Sequence, residues 1–124
     1  MKKKILIVDD EKSTRSLLKY ILLSDDFDLI EAEDGKEALE LLKKQKIDLM
    51  ITDRSMPQMG GLELLKELRR LKSKLPVIVI SAYGEESLWG EAIGLGALDY
   101  IVKPFAADVV LNVVRKNLFG GKPS

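Results

Sequence analysis

Four places in this 124-residue sequence put a polar, chemically capable side chain directly behind a short apolar run. Asp9 and Asp10 follow Ile5-Leu6-Ile7-Val8, and Asp53 follows Leu49-Met50-Ile51-Thr52. Ser81 follows Val77-Ile78-Val79-Ile80, and Lys103, itself followed by Pro104, follows Tyr100-Ile101-Val102. In open parallel sheets ligands sit beyond the carboxyl ends of the strands, so these side chains would meet if the runs are neighbouring strands. Carboxylates brought together repel and raise one another's pKa, and a hard divalent cation relieves the repulsion. Magnesium takes oxygen ligands, binds through one or two carboxylates and keeps waters elsewhere. A lysine adds a positive charge for a carboxylate or an incoming anion, and a serine adds a hydroxyl donor. A carboxylate beside magnesium, an ammonium group and a hydroxyl suits phosphoryl transfer, where a protein mostly positions groups and neutralises charge. Aspartate can itself be the nucleophile. Taken singly, an Asp pair after a strand reads as a helix cap, and a Ser or Lys at a strand end as uninvolved. The joint pattern at several strand ends carries the reading.

Five apolar runs could supply those strands: Lys4 to Val8, Asp28 to Ala32, Asp48 to Thr52, Val77 to Ile80 and Asp99 to Val102. Most are continuous rather than alternating, as expected of strands buried on both faces. Helical stripes lie between them: Leu17, Leu18, Ile21 and Leu22; Ala38, Leu41 and Leu42; Leu64, Leu65, Leu68 and Leu71; and Val109, Val110, Val113, Val114 and Leu118. Core packing accounts for these stripes. Asp34 with Glu37 predicts a capping box. The fourth helix, Glu85 to Leu95, contains Gly90 and Gly94, each costing about 1 kcal/mol relative to Ala. Two readings of those glycines stand side by side: close packing against a neighbour, or a helix kept loose so that it can move. The alternation predicts an α/β fold, a doubly wound five-stranded parallel sheet with five helices and right-handed crossovers.

Composition narrows the function. The length fits one domain, expected over residues 1–119, with 120–124 a flexible tail or truncated linker. Lys plus Arg and Asp plus Glu each number 20, which argues against a general nucleic-acid or membrane surface. The chain has no cysteine and no histidine, so thiolate sites, His-ligated zinc, His-based triads and an internal phosphohistidine are excluded. The basic start Met1-Lys2-Lys3-Lys4 precedes too short an apolar run for a secretory signal. No stretch approaches the roughly 18 apolar residues of a membrane span. The expected location is cytoplasmic.

Longer motifs sharpen this. The runs Ile5-Leu6-Ile7-Val8-Asp9-Asp10-Glu11, Asp48-Leu49-Met50-Ile51-Thr52-Asp53 with Met56-Pro57-Gln58-Met59, Pro76-Val77-Ile78-Val79-Ile80-Ser81-Ala82, and Gly96-Ala97-Leu98-Asp99-Tyr100-Ile101-Val102-Lys103-Pro104-Phe105 occur in order. The sequence resembles, from Lys3 to about Leu118, the receiver domain of two-component response regulators. The resemblance implies a flavodoxin-like fold with strand order 2-1-3-4-5. It implies Asp53 as phosphoacceptor; Asp10 and Asp53 as direct Mg2+ ligands, with Asp9 assisting and the Ser55 carbonyl a further ligand; and Lys103 as the partner of the acceptor. It also implies Ser81 as the switch hydroxyl, Tyr100 as an aromatic rotamer switch, a small residue at Ala82 that leaves the site open, and a cis Lys103–Pro104 bond. The sequence departs from the family pattern at Gly60, where Asp or Asn is common, and at Trp89, where a small residue is common. Arg54 and Ser55 flank the acceptor, and the second of these positions commonly tunes phosphoryl lifetime.

The implied function is a phosphorylation-dependent signalling switch. Its partners would be a histidine kinase or phosphotransfer protein as donor in trans, and a downstream effector or fused output domain reached through the surface of the fourth helix, fifth strand and fifth helix. A phosphorylation-dependent homodimer through the same helices is a further expectation. The domain would catalyse only its own phosphorylation and dephosphorylation. The rivals are an aspartate-based phosphohydrolase, which usually has a second Asp where this chain has Ser55 and needs a substrate-covering cap; a flavin carrier, which would want a phosphate loop where this chain has Asp9-Asp10-Glu11; and a module that interacts without phosphorylation.

Overall fold

The runs Ile5 to Val8, Leu49 to Thr52 and Val77 to Ser81 are buried throughout, which leaves their backbone groups no partner except one another, and the half-buried second and fifth runs pair along their edges. The computed structural model describes residues 2–82 and 84–119. Its strands are β1 (Lys3–Val8), β2 (Phe27–Ala32), β3 (Leu49–Asp53), β4 (Val77–Ala82) and β5 (Asp99–Lys103). They form one five-stranded parallel sheet in the order β2-β1-β3-β4-β5. The helices are α1 (Lys12–Ile21), α2 (Gly35–Lys44), α3 (Gly61–Arg70), α4 (Trp89–Gly94) and α5 (Ala107–Leu118). None of the described helices is long and apolar enough to cross a membrane. The expected tail, 120–124, lies outside the described residues.

Successive strand residues feed opposite faces. Ile5 and Ile7 of β1, Leu49 and Ile51 of β3, and Ile78 and Ile80 of β4 pack with Leu18 and Leu22, at the C-terminal end of the α1 segment, and with Val110 and Val114 of α5. Leu6 and Val8, Met50, and Val77 and Val79 pack on the other side with Ala38 of α2, Leu64, Leu65 and Leu68 of α3, and Ala92 of α4. A sheet covered on both faces needs no polar alternation, which is why the strands read as continuous apolar runs. The helical stripes are narrower than their periodicity suggests: Leu17, Leu71 and Val109 are about half exposed. Spacing identifies a face but not where its edge falls.

Two local expectations change. Asp34 caps α2 by accepting from the Glu37 amide at 2.8 Å, but the Glu37 carboxylate accepts from the Glu33 amide at 2.7 Å. Only half of the predicted capping box forms. The fourth helix, expected over Glu85 to Leu95, opens instead as a 3-10 turn over Glu86–Leu88, and α4 proper has 6 residues. A Cβ added at Gly90 or Gly94 would meet nothing within 4 Å, which removes close packing as their explanation.

Candidate functional site

The strand register sets the site. Val8 pairs with Thr52, Asp53 with Ile80, Ser81 with Val102 and Ala82 with Lys103. Asp9 therefore follows β1 at the level of Asp53, Ser81 stands one residue and Lys103 two residues further along, and all four lie at the carboxyl edge of the sheet. Carboxylate oxygens of Asp9, Asp10 and Asp53 lie within 4.8 Å of one another. The Lys103 ammonium sits between two of them, 3.4 Å from Asp9 Oδ2 and 3.5 Å from Asp53 Oδ2, with Glu11 Oε1 at 3.8 Å. The Lys103–Pro104 peptide bond is cis. Asp9 is fully buried, Asp53 partly buried and Asp10 exposed. Ser55 is exposed in the loop between β3 and α3.

Burial raises the Asp9 carboxyl above its ordinary pKa, although the Glu11 amide and Lys103 pull the other way. Burial also raises Asp53; Lys103 opposes this, and the Asp9 charge adds to it. Burial draws the Lys103 ammonium down, but the attraction of Asp53 and Asp9 outweighs it and the net shift is upward. One ammonium thus leaves the acidic cluster with excess negative charge held in a partly desolvated place. The donors are all oxygens, and the cluster fits a hard divalent cation such as magnesium.

The backbone around these acids is firmly held. The Asp9 amide donates to the Ala32 carbonyl at 3.1 Å, and Asp9 Oδ1 accepts from the Glu11 amide at 2.8 Å. Arg15, buried in α1, donates from Nη1 to the Asp9 carbonyl at 2.6 Å and from Nε to Glu31 Oε1 at 3.0 Å. On the other side, a Cβ on Gly61 would stand 2.4 Å from the Asp53 carbonyl oxygen, so the start of α3 lies against the backbone of Asp53. Glycine is needed there for space, since the backbones approach closely.

Ser81 is buried at the sheet edge, but its hydroxyl donates to Glu85 Oε1 at 2.6 Å rather than toward Asp53. The other Glu85 oxygen lies 3.5 Å from Arg54 Nη1. Tyr100 is already buried, in tilted contact with Trp89, with ring centroids 4.7 Å apart and an interplanar angle of 36°. Tyr100 therefore lies inside while Ser81 is turned toward Glu85, so burial of the ring does not wait on movement of the serine.

The sequence reading missed Arg15, Gly61 and Glu85. Arg15 precedes Leu18 by three and Leu22 by seven residues, which places a cation on the apolar face of α1; that was a usable signal. Glu85 offered none, because its role depends on how the loop after β4 turns.

A parallel sheet in this order, carrying carboxylates and a lysine at its carboxyl edge, defines a receiver-type signalling domain. The chain belongs to the response regulator receiver domain family, which matches residues 5–115. It is similar to chemotaxis protein CheY of Bacillus subtilis, with 42% identity over 119 residues covering 95% of this chain and 99% of that protein. It is 36% identical to sporulation initiation phosphotransferase F of the same organism, covering 95% of each. The solved receiver domain of the Francisella response regulator 1452 superposes with a TM-score of 0.89 at 33% identity, covering 97% of this chain and 99% of that one. Domains of this family are signalling domains of two-component systems.

Proposed function

We propose that Asp53 is the phosphoacceptor of a signalling switch, charged by a phosphohistidine on a histidine kinase or phosphotransfer protein. The observation that carries this is the meeting of Asp9, Asp10, Asp53 and Lys103 at one point of the sheet edge. These 124 residues hold no histidine, so the phosphohistidine comes from outside them. An Asp53 carboxylate oxygen forms the new O–P bond as the P–N bond breaks, and the donor imidazole leaves with the electron pair and takes up a proton from solvent. Asp9, Asp10, Asp53 and the Ser55 carbonyl would hold a magnesium ion, which supplies positive charge beside the phosphoryl oxygens. Lys103 holds the Asp53 carboxylate before transfer and faces the phosphoryl group after it. The Ser81 hydroxyl then donates to a phosphoryl oxygen, which draws β4 and the following loop toward the site.

The change is read at the surface of α4, β5 and α5. Trp89, Ile93 and Leu98 expose apolar area there, and Trp89 couples that surface to Tyr100. Short α4, with two unpacked glycines, resists rearrangement weakly. The event is a population shift biased by local charge, passed to an effector or attached output domain or to a second copy. The proposed setting is the cytoplasm.

Acetyl phosphate with magnesium tests the acceptor. Wild type should take up one phosphoryl group by intact mass, and Asp53→Asn none. Undiminished labelling of Asp53→Asn removes Asp53 from the role.

A further inference from the structure

The Ser81 hydroxyl is already spoken for. It donates to Glu85 Oε1 at 2.6 Å, the short distance of a charge-assisted bond. The same oxygen accepts from the Ala82 amide at 3.2 Å, and Oε2 faces Arg54 Nη1 at 3.5 Å. Arg54 directly follows Asp53 in the chain, its amide donates to the Ile80 carbonyl at 2.8 Å, and its Nε is buried without a hydrogen-bond partner among the described residues. Glu85 is therefore anchored at both oxygens, by the residue after the acceptor and by the residue after the serine. The Ser81 bond holds the Glu85 carboxyl below its usual range, followed by the Ala82 amide, so the carboxylate is charged at neutral pH and a strong acceptor.

We infer that Glu85 is a positioning residue that holds the Ser81 hydroxyl away from Asp53, so that a phosphoryl group must compete with this carboxylate for one proton donor. The inference rests on the reading of Asp53 as acceptor and deepens it. A serine has one O–H to donate. While it points at Glu85, it cannot stabilise charge developing on phosphoryl oxygens during transfer, where a single positioned donor has a large effect on rate. Arg54 ties this latch to the acceptor strand. The latch lowers the reactivity of the resting domain toward small phosphodonors.

The test is a double-mutant cycle on the rate of phosphorylation by acetyl phosphate with magnesium. In that reaction Asp53 forms the O–P bond and acetate leaves. Wild type, Glu85→Gln, Ser81→Ala and the double variant are compared, with thermal melts to confirm that each is folded. Replacing a charged acceptor by a neutral one weakens the hold on Ser81, and the Glu85→Gln rate should rise roughly fivefold. In the Ser81→Ala background the same change should leave the rate within error, because there is no hydroxyl to release. An unchanged Glu85→Gln rate overturns the inference. So does an equal rise with and without Ser81, which would mark Glu85 as a simple repulsive charge toward the anionic donor. Failure of the underlying reading looks different: wild type takes up no phosphoryl group, or the label survives Asp53→Asn, and the role assigned to Glu85 falls with it.

Discussion

Trp89 covers Tyr100 with their rings 4.7 Å apart, and the Tyr100 hydroxyl beneath has no hydrogen-bond partner among the described residues. A buried hydroxyl without a partner costs about 1–3 kcal/mol. Tyr100→Phe keeps the ring contact and removes the penalty. It should raise the urea unfolding free energy by about 1 kcal/mol, measured with the Trp89 fluorescence as signal. A loss of stability would mean that the hydroxyl is satisfied in solution.

Asp9 and Asp53 set a pH dependence. Both carboxyls are raised above their ordinary value of 3.8, by burial first. The folded state therefore favours their protonated forms. Their contribution is most favourable below the ordinary value and is lost as pH rises through the raised folded-state values. Without divalent cations, Asp9→Asn should be more stable than wild type at neutral pH, and the gap should close toward about pH 4. Glu31, lowered first by its bond to Lys19, and Asp99, where Lys116, the Tyr100 amide and Asn117 outweigh burial, tilt both curves the opposite way. They cancel in the difference. Magnesium at about 100 times its dissociation constant should stabilise wild type by about 2.7 kcal/mol and the variant by less. Denaturation at a series of pH values, with and without magnesium, measures both.

Arg15 braces the acidic cluster from behind. Arg15→Met leaves the Asp9 carbonyl without its 2.6 Å donor and Glu31 with Lys19 alone. A loss of about 1.5–3 kcal/mol is expected, the cost of taking a charged donor from a buried carbonyl. Arg15→Lys should recover only part, because a single ammonium cannot fork between two acceptors. Urea unfolding checks the stabilities, and magnesium titration shows whether a loosened Asp9 also weakens the cation site.

The glycines divide by space. Gly61→Ala places a Cβ 2.4 Å from the Asp53 carbonyl oxygen, so the backbone itself must shift. A loss of at least about 2 kcal/mol is expected, along with slower labelling. Gly90→Ala and Gly94→Ala meet nothing within 4 Å and should each stabilise α4 by up to about 1 kcal/mol. If looseness of α4 serves the output, these two variants will accept phosphate normally but change shape less, as read by Trp89 fluorescence.

The central strands were legible because Ile5-Leu6-Ile7-Val8, Leu49-Met50-Ile51 and Val77-Ile78-Val79-Ile80 are buried on both faces, and a run with that property has few other structures open to it. The gathering of Asp9, Asp10, Asp53 and Lys103 followed from strand direction together with the strand order that the family resemblance implied. Side-chain destinations were not legible. Ser81 could have faced the acceptor or the following loop, and which it does depends on where that loop brings Glu85. Glu37 could have bonded the Asp34 or the Glu33 amide, and a difference of one residue in its reach decided the matter. The brevity of α4 was foreshadowed by Gly90 and Gly94, but its 3-10 opening was not.

The ladder that pairs Val8 with Thr52 and Asp53 with Ile80 fixes which way each acid points. A slip of one residue in β3 would send Asp53 to the opposite face of the sheet, so no compensating change in a loop could restore the cleft. The exposed sides of the helices carry no such constraint. A partner surface of the kind proposed there can therefore be rewritten substitution by substitution, while the carboxylate cluster at the sheet edge stays as it is.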